Sequence, residues 1–162
     1  MQLLKRSNKI TITGVFILYV GMLIKYILFR RPPDFIKSNL RELGSLEALR
    51  TSLSHANLIP FKTILYFLSG VERKGIAFQN LFGNFVGFMP FGLLAPLIFD
   101  KIRNVRSMLL LSFFASLAFE LTQLVTGLGI FDIDDLILNT AGGVMGYLAF
   151  ALLNTRSPAL HS

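Results

Sequence analysis

The chain of 162 residues is 53% hydrophobic and 15% charged, with a mean hydropathy of +0.62, whereas a soluble domain carries about 25% charged residues. Its apolar residues fall in blocks of membrane-crossing length, about 20 residues each, which excludes a second sizeable soluble domain and makes residues 1–162 a single all-α membrane domain. The net charge of +7 does not mark a nucleic-acid binder, because the basic residues flank apolar blocks, where they anchor and orient helices; the absence of cysteine excludes disulfides and thiol chemistry.

The first block runs from Ile10 to Phe29, behind Lys5, Arg6 and Lys9. A basic start before an apolar run also describes a secretory signal. This run is long for a signal core and ends in Phe29-Arg30-Arg31-Pro32-Pro33 without a small-residue cleavage site, so an uncleaved helix is expected. In the connection that follows, Ile36, Leu40, Leu43, Leu46, Leu49 and Leu53 recur at three- and four-residue spacing among charged residues. That pattern predicts an amphipathic helix lying on the membrane surface. Lys62–Leu68 is a second apolar piece, too short to span and therefore interfacial or re-entrant, so residues 34–68 are assigned to the interface.

Three further spans are predicted: Ala77 to Phe99, Ser107 to Ile130 and Ile133 to Leu153. Their short connections force antiparallel neighbours. The loop after the second span carries Lys101, Arg103 and Arg106, while the next carries Asp132, Asp134 and Asp135 and no cation. The positive-inside rule therefore places the former loop and both termini in the cytoplasm. One feature opposes this orientation: the first connection would lie outside with eight basic residues, Arg30, Arg31, Lys37, Arg41, Arg50, Lys62, Arg73 and Lys74.

Charges inside a membrane are rare, costing about 2.5–3.5 kcal/mol each at a helix centre. Glu120 sits mid-span with Gln123 on its face, Asn80 and Asn84 share a face of the second span, and Asp132, Asp135, Asn139, Gly142 and Gly146 form one stripe of the fourth. At ~1.5 Å rise per residue, Asn84, Glu120 and Asn139 come to a similar depth, roughly 9–15 Å below the outer surface. Gly83 with Gly87, and Gly142 with Gly146, are small-xxx-small pairs that permit close helix approach. Pro90 interrupts the second span and frees a backbone carbonyl. Asn and Gln equally serve as interhelical glue. Asp134, off the stripe, reads as a solvated loop charge, and His55 and His161 as surface residues.

Glu120 with Asp132 or Asp135 has the chemistry to share a proton, or to hold a hard divalent cation with help from amide oxygens. No cofactor is evident: without Cys, and with neither His near the cluster, zinc is disfavoured. There is no phosphate-binding Gly loop, Gly-x-Ser-x-Gly or His-Glu-x-x-His. Glu120 and Asp135 are the candidate catalytic pair. Asn80, Asn84, Gln123, Asp132, Asn139, Arg73 and Lys74 are candidate ligand-binding residues, the last two for lipid phosphates.

Asn57-Leu58-Ile59-Pro60-Phe61-Lys62-Thr63-Ile64, followed by Asn80-x-x-Gly83-Asn84-x-x-x-Phe88-x-Pro90-x-Gly92, resembles the VanZ-like membrane proteins. So do Glu120-x-x-Gln123 and Phe131-Asp132-Ile133-Asp134-Asp135-x-x-x-Asn139-x-x-Gly142-x-x-x-Gly146. The family often places an arginine before the Phe-Asp run, where this chain has Gly127-Leu128-Gly129-Ile130. The resemblance implies a bacterial plasma-membrane protein linked to low-level resistance against teicoplanin-type glycopeptides. The outward-facing polar cluster with Arg73 and Lys74 makes membrane lipids the expected partners, with a lipid-linked cell-wall component or the lipoglycopeptide as candidate ligand. The residues leave the activity open between acting on or shielding an envelope component, intramembrane catalysis, proton-coupled transport and a purely structural membrane module, and the oligomeric state stays open too.

Overall fold

The computed structural model describes residues 6–29, 31–69 and 74–155. Among them are seven helices: α1 (Arg6–Leu28), α2 (Pro33–Arg41), α3 (Leu46–His55), α4 (Lys62–Leu68), α5 (Lys74–Ile98), α6 (Val105–Thr126) and α7 (Ile133–Thr155). Helices α1, α5, α6 and α7 are long and apolar enough to cross a membrane, yet each keeps only a minority of its apolar window inside the chain, from 11% for α1 to 33% for α7. The remaining apolar surface faces lipid, which makes this a multi-pass membrane protein.

The amphipathic stretch predicted over 36–53 is present in two pieces. Gly44, at φ +87°, takes a left-handed conformation that costs other residues more, and Ser45 caps the second piece by accepting a 3.4 Å hydrogen bond from the Ala48 amide. Helix α6 starts on Asn104, whose side chain accepts from the Ser107 amide at 2.8 Å, and stops at Gly127, φ +64°.

Helices α5 and α7 form the closest seam. A Cβ on Gly142 would strike the Phe85 carbonyl, one on Gly146 the Met89 carbonyl, and one on Gly92 the Gly143 carbonyl. Backbone therefore lies directly on backbone, the arrangement small residues allow in a membrane. Gly83 and Gly87 serve a different neighbour, facing Tyr26 and Leu23 of α1. Helix α1 is fixed there by the Tyr19 hydroxyl, which donates to the Gly87 carbonyl, and by Phe16 stacking on Phe91 with ring centroids 5.7 Å apart. At the opposite end from the α6–α7 loop, Lys9 lies 3.6 Å from Asp100. Phe88, Ala95 and Met108 are almost fully enclosed where α5 and α6 meet the rest.

Candidate functional site

The α6–α7 connection and the segment after α3 are stitched together at one end of the bundle. Asn57 and Asp132 form an isolated parallel bridge, with the Asn57 amide donating to Phe131 O at 2.8 Å and the Ile133 amide to Asn57 O at 3.0 Å. The Asn57 side chain donates to Asp132 Oδ1 and to Thr63 Oγ1, both at 2.9 Å. Thr63 Oγ1 in turn donates to Asp132 Oδ2 at 2.6 Å, and the Asp134 amide donates to Asp132 Oδ1 at 2.8 Å. Asp132 thus starts α7 and grips the α3–α4 connection at once.

Asp134 corrects its predicted role. It is fully buried, and its carboxylate accepts from the backbone amides of Phe61, Thr63 (2.7 Å) and Ile64 (3.1 Å) at the first turn of α4. Helix N-termini present unsatisfied N–H groups and positive dipole, so this buried anion is placed where backbone donors replace water. Phe61, the residue just before α4, has φ 65°, a left-handed geometry that is costly for an aromatic residue and that brings those amides onto Asp134. A charge one position off a helical stripe reads as exposed in a sequence because the partner that buries it lies 70 or more residues away.

Glu120, 2% exposed, accepts from the Asp132 amide through Oε2 at 2.8 Å. It ties the last turns of α6 to the start of α7. One turn deeper, Asn139 donates to Ser116 Oγ at 2.9 Å, and Ser112, Ser116 and Glu120 form one buried edge of α6. Asn139 Oδ1, Ser112 Oγ, Thr140 Oγ1 and Gln123 Oε1 are buried without a hydrogen-bond partner among the described residues. Gln123 Nε2 donates to the Ile27 carbonyl at 3.1 Å, satisfying a C-terminal group of α1.

Two adjoining cavities open beside this knot. The inner crevice, about 220 Å³, is walled by Arg31, Thr63, Asn84, Gln123, Asp132 and Asp135 together with apolar Ile27, Phe67 and Leu128. The outer cleft, about 750 Å³, lies between α2, α3 and the α6–α7 loop, with Asn39, Glu42, Glu47, Thr51 and His55 in its wall. Arg31, Gly129 and Ile130 line both.

Of the predicted ligand-binding residues, Asn84, Gln123 and Asp132 come together in the inner crevice, and the candidate catalytic Asp135 joins them. Glu120 and Asn139 lie behind it and line neither cavity. Arg73 falls outside the described residues, as do the side chains of Lys74 and Asn80 and all of His161. Arg31, Asn57 and Thr63 were not among the predicted site residues. Asn57 and Thr63 stand inside the Asn-Leu-Ile-Pro-Phe-Lys-Thr run, the sequence signal from which they could have been found. Among the described residues no group of three or more His, Cys, Asp or Glu is arranged to hold a metal; the oxygens of Asp132 and Asp134 are already engaged by donors.

The fold and this end of the bundle define a multi-pass helical membrane protein with a carboxylate- and amide-walled crevice. The VanZ/LLP1 family model matches residues 16–154, and Protein VanZ of Enterococcus faecium is 30% identical over 147 residues, covering 91% of this chain and 78% of the relative. This chain belongs to the VanZ-like family. No solved structure gives a significant match.

Proposed function

We propose that the protein acts in a bacterial plasma membrane, with both termini cytoplasmic, and lowers susceptibility to teicoplanin-type glycopeptides by engaging a cell-envelope component at the inner crevice. The observation that carries this reading is the convergence of Asn84, Gln123, Asp132 and Asp135 with Arg31 and Thr63 in one open crevice at the α6–α7 end of the bundle. Lys101 and Arg103 lie on the α5–α6 connection and Arg106 in the first turn of α6, which supports an outward-facing crevice by the positive-inside rule.

The geometry favours binding or shielding over catalysis. A carboxylate pair working on one substrate must both reach it, and only Asp135 of the candidate pair lines the crevice. Glu120 is a positioning residue in this reading: it holds the Asp132 amide and so the start of α7.

The test is teicoplanin susceptibility of a sensitive Gram-positive host expressing wild type, Asp135→Asn or Glu120→Gln at matched membrane levels. Wild type should raise resistance, Asp135→Asn should return it to the empty-vector level, and Glu120→Gln should retain it, since an amide oxygen still accepts from Asp132. Full resistance in Asp135→Asn would overturn the crevice as the working site. Loss in Glu120→Gln with an intact fold would restore a catalytic or proton-carrying role for Glu120.

A further inference from the structure

The crevice and the cleft share Arg31, and the charges of their walls differ in sign from the chain as a whole. Against a net charge of +7, the joined cavity presents Glu42, Glu47 and Asp135, beside Asp132 whose oxygens are engaged within the chain, with Arg31 as its one arginine. Neither Glu42 nor Glu47 makes an ion pair among the described residues. A wall of this sign concentrates cations. Arg31 makes no ion pair among the described residues either; its guanidinium lies over the Phe35 ring, 5.5 Å from the centroid, held at the junction of the two chambers with its donors available for an anion.

One anion-reading fork beside several carboxylates fits a zwitterion. The cavity also lies where membrane-spanning α1 ends: Ile27 of its last turns and Phe67 of α4 form the apolar side of the inner crevice, and Leu65 and Leu68 of α4 are largely exposed. An occupant there sits at headgroup level with an apolar exit into lipid. We infer that the joined cavity binds the headgroup of a membrane lipid that carries a primary ammonium beside a phosphodiester, the phosphate on Arg31 and the ammonium on the carboxylate wall. A guanidinium suits the phosphate, because its fork of N–H donors matches two phosphate oxygens. A primary ammonium suits the wall, because its three N–H groups donate to carboxylates and hydroxyls. A quaternary ammonium has no N–H and is instead recognised by aromatic faces, and the ring of Phe35 is already covered by Arg31.

This inference rests on the proposal that the crevice is the working site, and it names the ligand class for it. The test is native mass spectrometry of the full chain in detergent, titrated with phosphatidylethanolamine, phosphatidylcholine or phosphatidylglycerol of identical acyl chains. Phosphatidylethanolamine should bind about tenfold more tightly than either of the others, the size of one charge-assisted contact. Arg31→Gln should remove most of that binding, Arg31→Lys should restore part of it, and Glu42→Gln with Glu47→Gln should erase the preference over phosphatidylcholine. Phosphatidylglycerol binding as tightly as phosphatidylethanolamine would overturn the inference, and so would wild-type selectivity in both Arg31→Gln and the double variant. The susceptibility assay separates the two claims. Selective lipid binding with full resistance in Asp135→Asn supports the lipid site and overturns the function; loss of resistance in Asp135→Asn without lipid selectivity in wild type overturns the lipid site alone.

Discussion

Two regions of this molecule hold the same chain together by opposite means. Along the α5–α7 seam, Gly92, Gly142 and Gly146 bring backbone onto backbone with no side chain between. At the α6–α7 end, Asp134 accepts from backbone amides some 70 residues away, Glu120 accepts from the Asp132 amide, and Asp132 accepts from the side chains of Asn57 and Thr63. Lipid explains the difference. Apolar side chains gain nothing by leaving lipid for a helix interface, so the spans associate through close van der Waals contact. Backbone enclosed by protein at the polar end has no water to satisfy it and must find protein acceptors. The seam tolerates no added volume, while the polar end tolerates no lost acceptor.

Volume at the seam should give the largest effect. Gly142→Val places a branched side chain where a single Cβ already strikes the Phe85 carbonyl; overpacking costs about 3 kcal/mol or more where backbone must move. The expected outcome is failure to accumulate in the membrane, read by quantitative blotting of membrane fractions. Normal accumulation would show that the seam opens freely and end the contrast.

Removing an acceptor should come next. Asp134→Ala strands the Phe61, Thr63 and Ile64 amides, each charge-assisted bond being worth about 1.5–3 kcal/mol. Hydrogen exchange should accelerate at these three amides while α5 and α7 stay protected. Uniform acceleration through all helices would mean that the two regions are a single cooperative unit.

Glu120→Leu removes one acceptor and leaves the part-buried Asp132 amide without that partner, for about 1–3 kcal/mol. Glu120→Gln should stay near wild type in thermal unfolding. Equal losses in the two variants would assign the contribution to charge rather than to hydrogen bonding. The smallest effect is expected from Ser112→Ala, which deletes a hydroxyl that has no partner among the described residues. Its unfolding midpoint should stay within the range that surface substitutions show, about ±0.5 kcal/mol. A clear loss would reveal a buried water bound there.

The four spans were legible because apolar length alone sets them: no other arrangement hides twenty consecutive apolar residues. Over residues 36–53 the three- and four-residue spacing made helix legible, but Gly44 splits it and Phe61 sets the start of α4 at positions that periodicity alone does not mark, since both are decided by backbone conformation. Within the site, Asn84, Gln123, Asp132 and Asp135 were visible as polar residues in apolar surroundings, and the crevice collects them. Arg31 was invisible in that respect, because a basic residue after a first span reads as a membrane anchor.

What the amino-acid order determined by itself is therefore the class of protein, the number of spans and the presence of polar groups that lipid would not tolerate alone. Tertiary structure decided which of those groups face a cavity and which are spent on backbone. Asp134 and Asp135 are neighbours in sequence and of identical chemistry, yet one is enclosed against the start of α4 and the other lines the crevice. Only the packing of a segment some 70 residues away separates them, because successive helix positions point about 100° apart and burial depends on what arrives at each face.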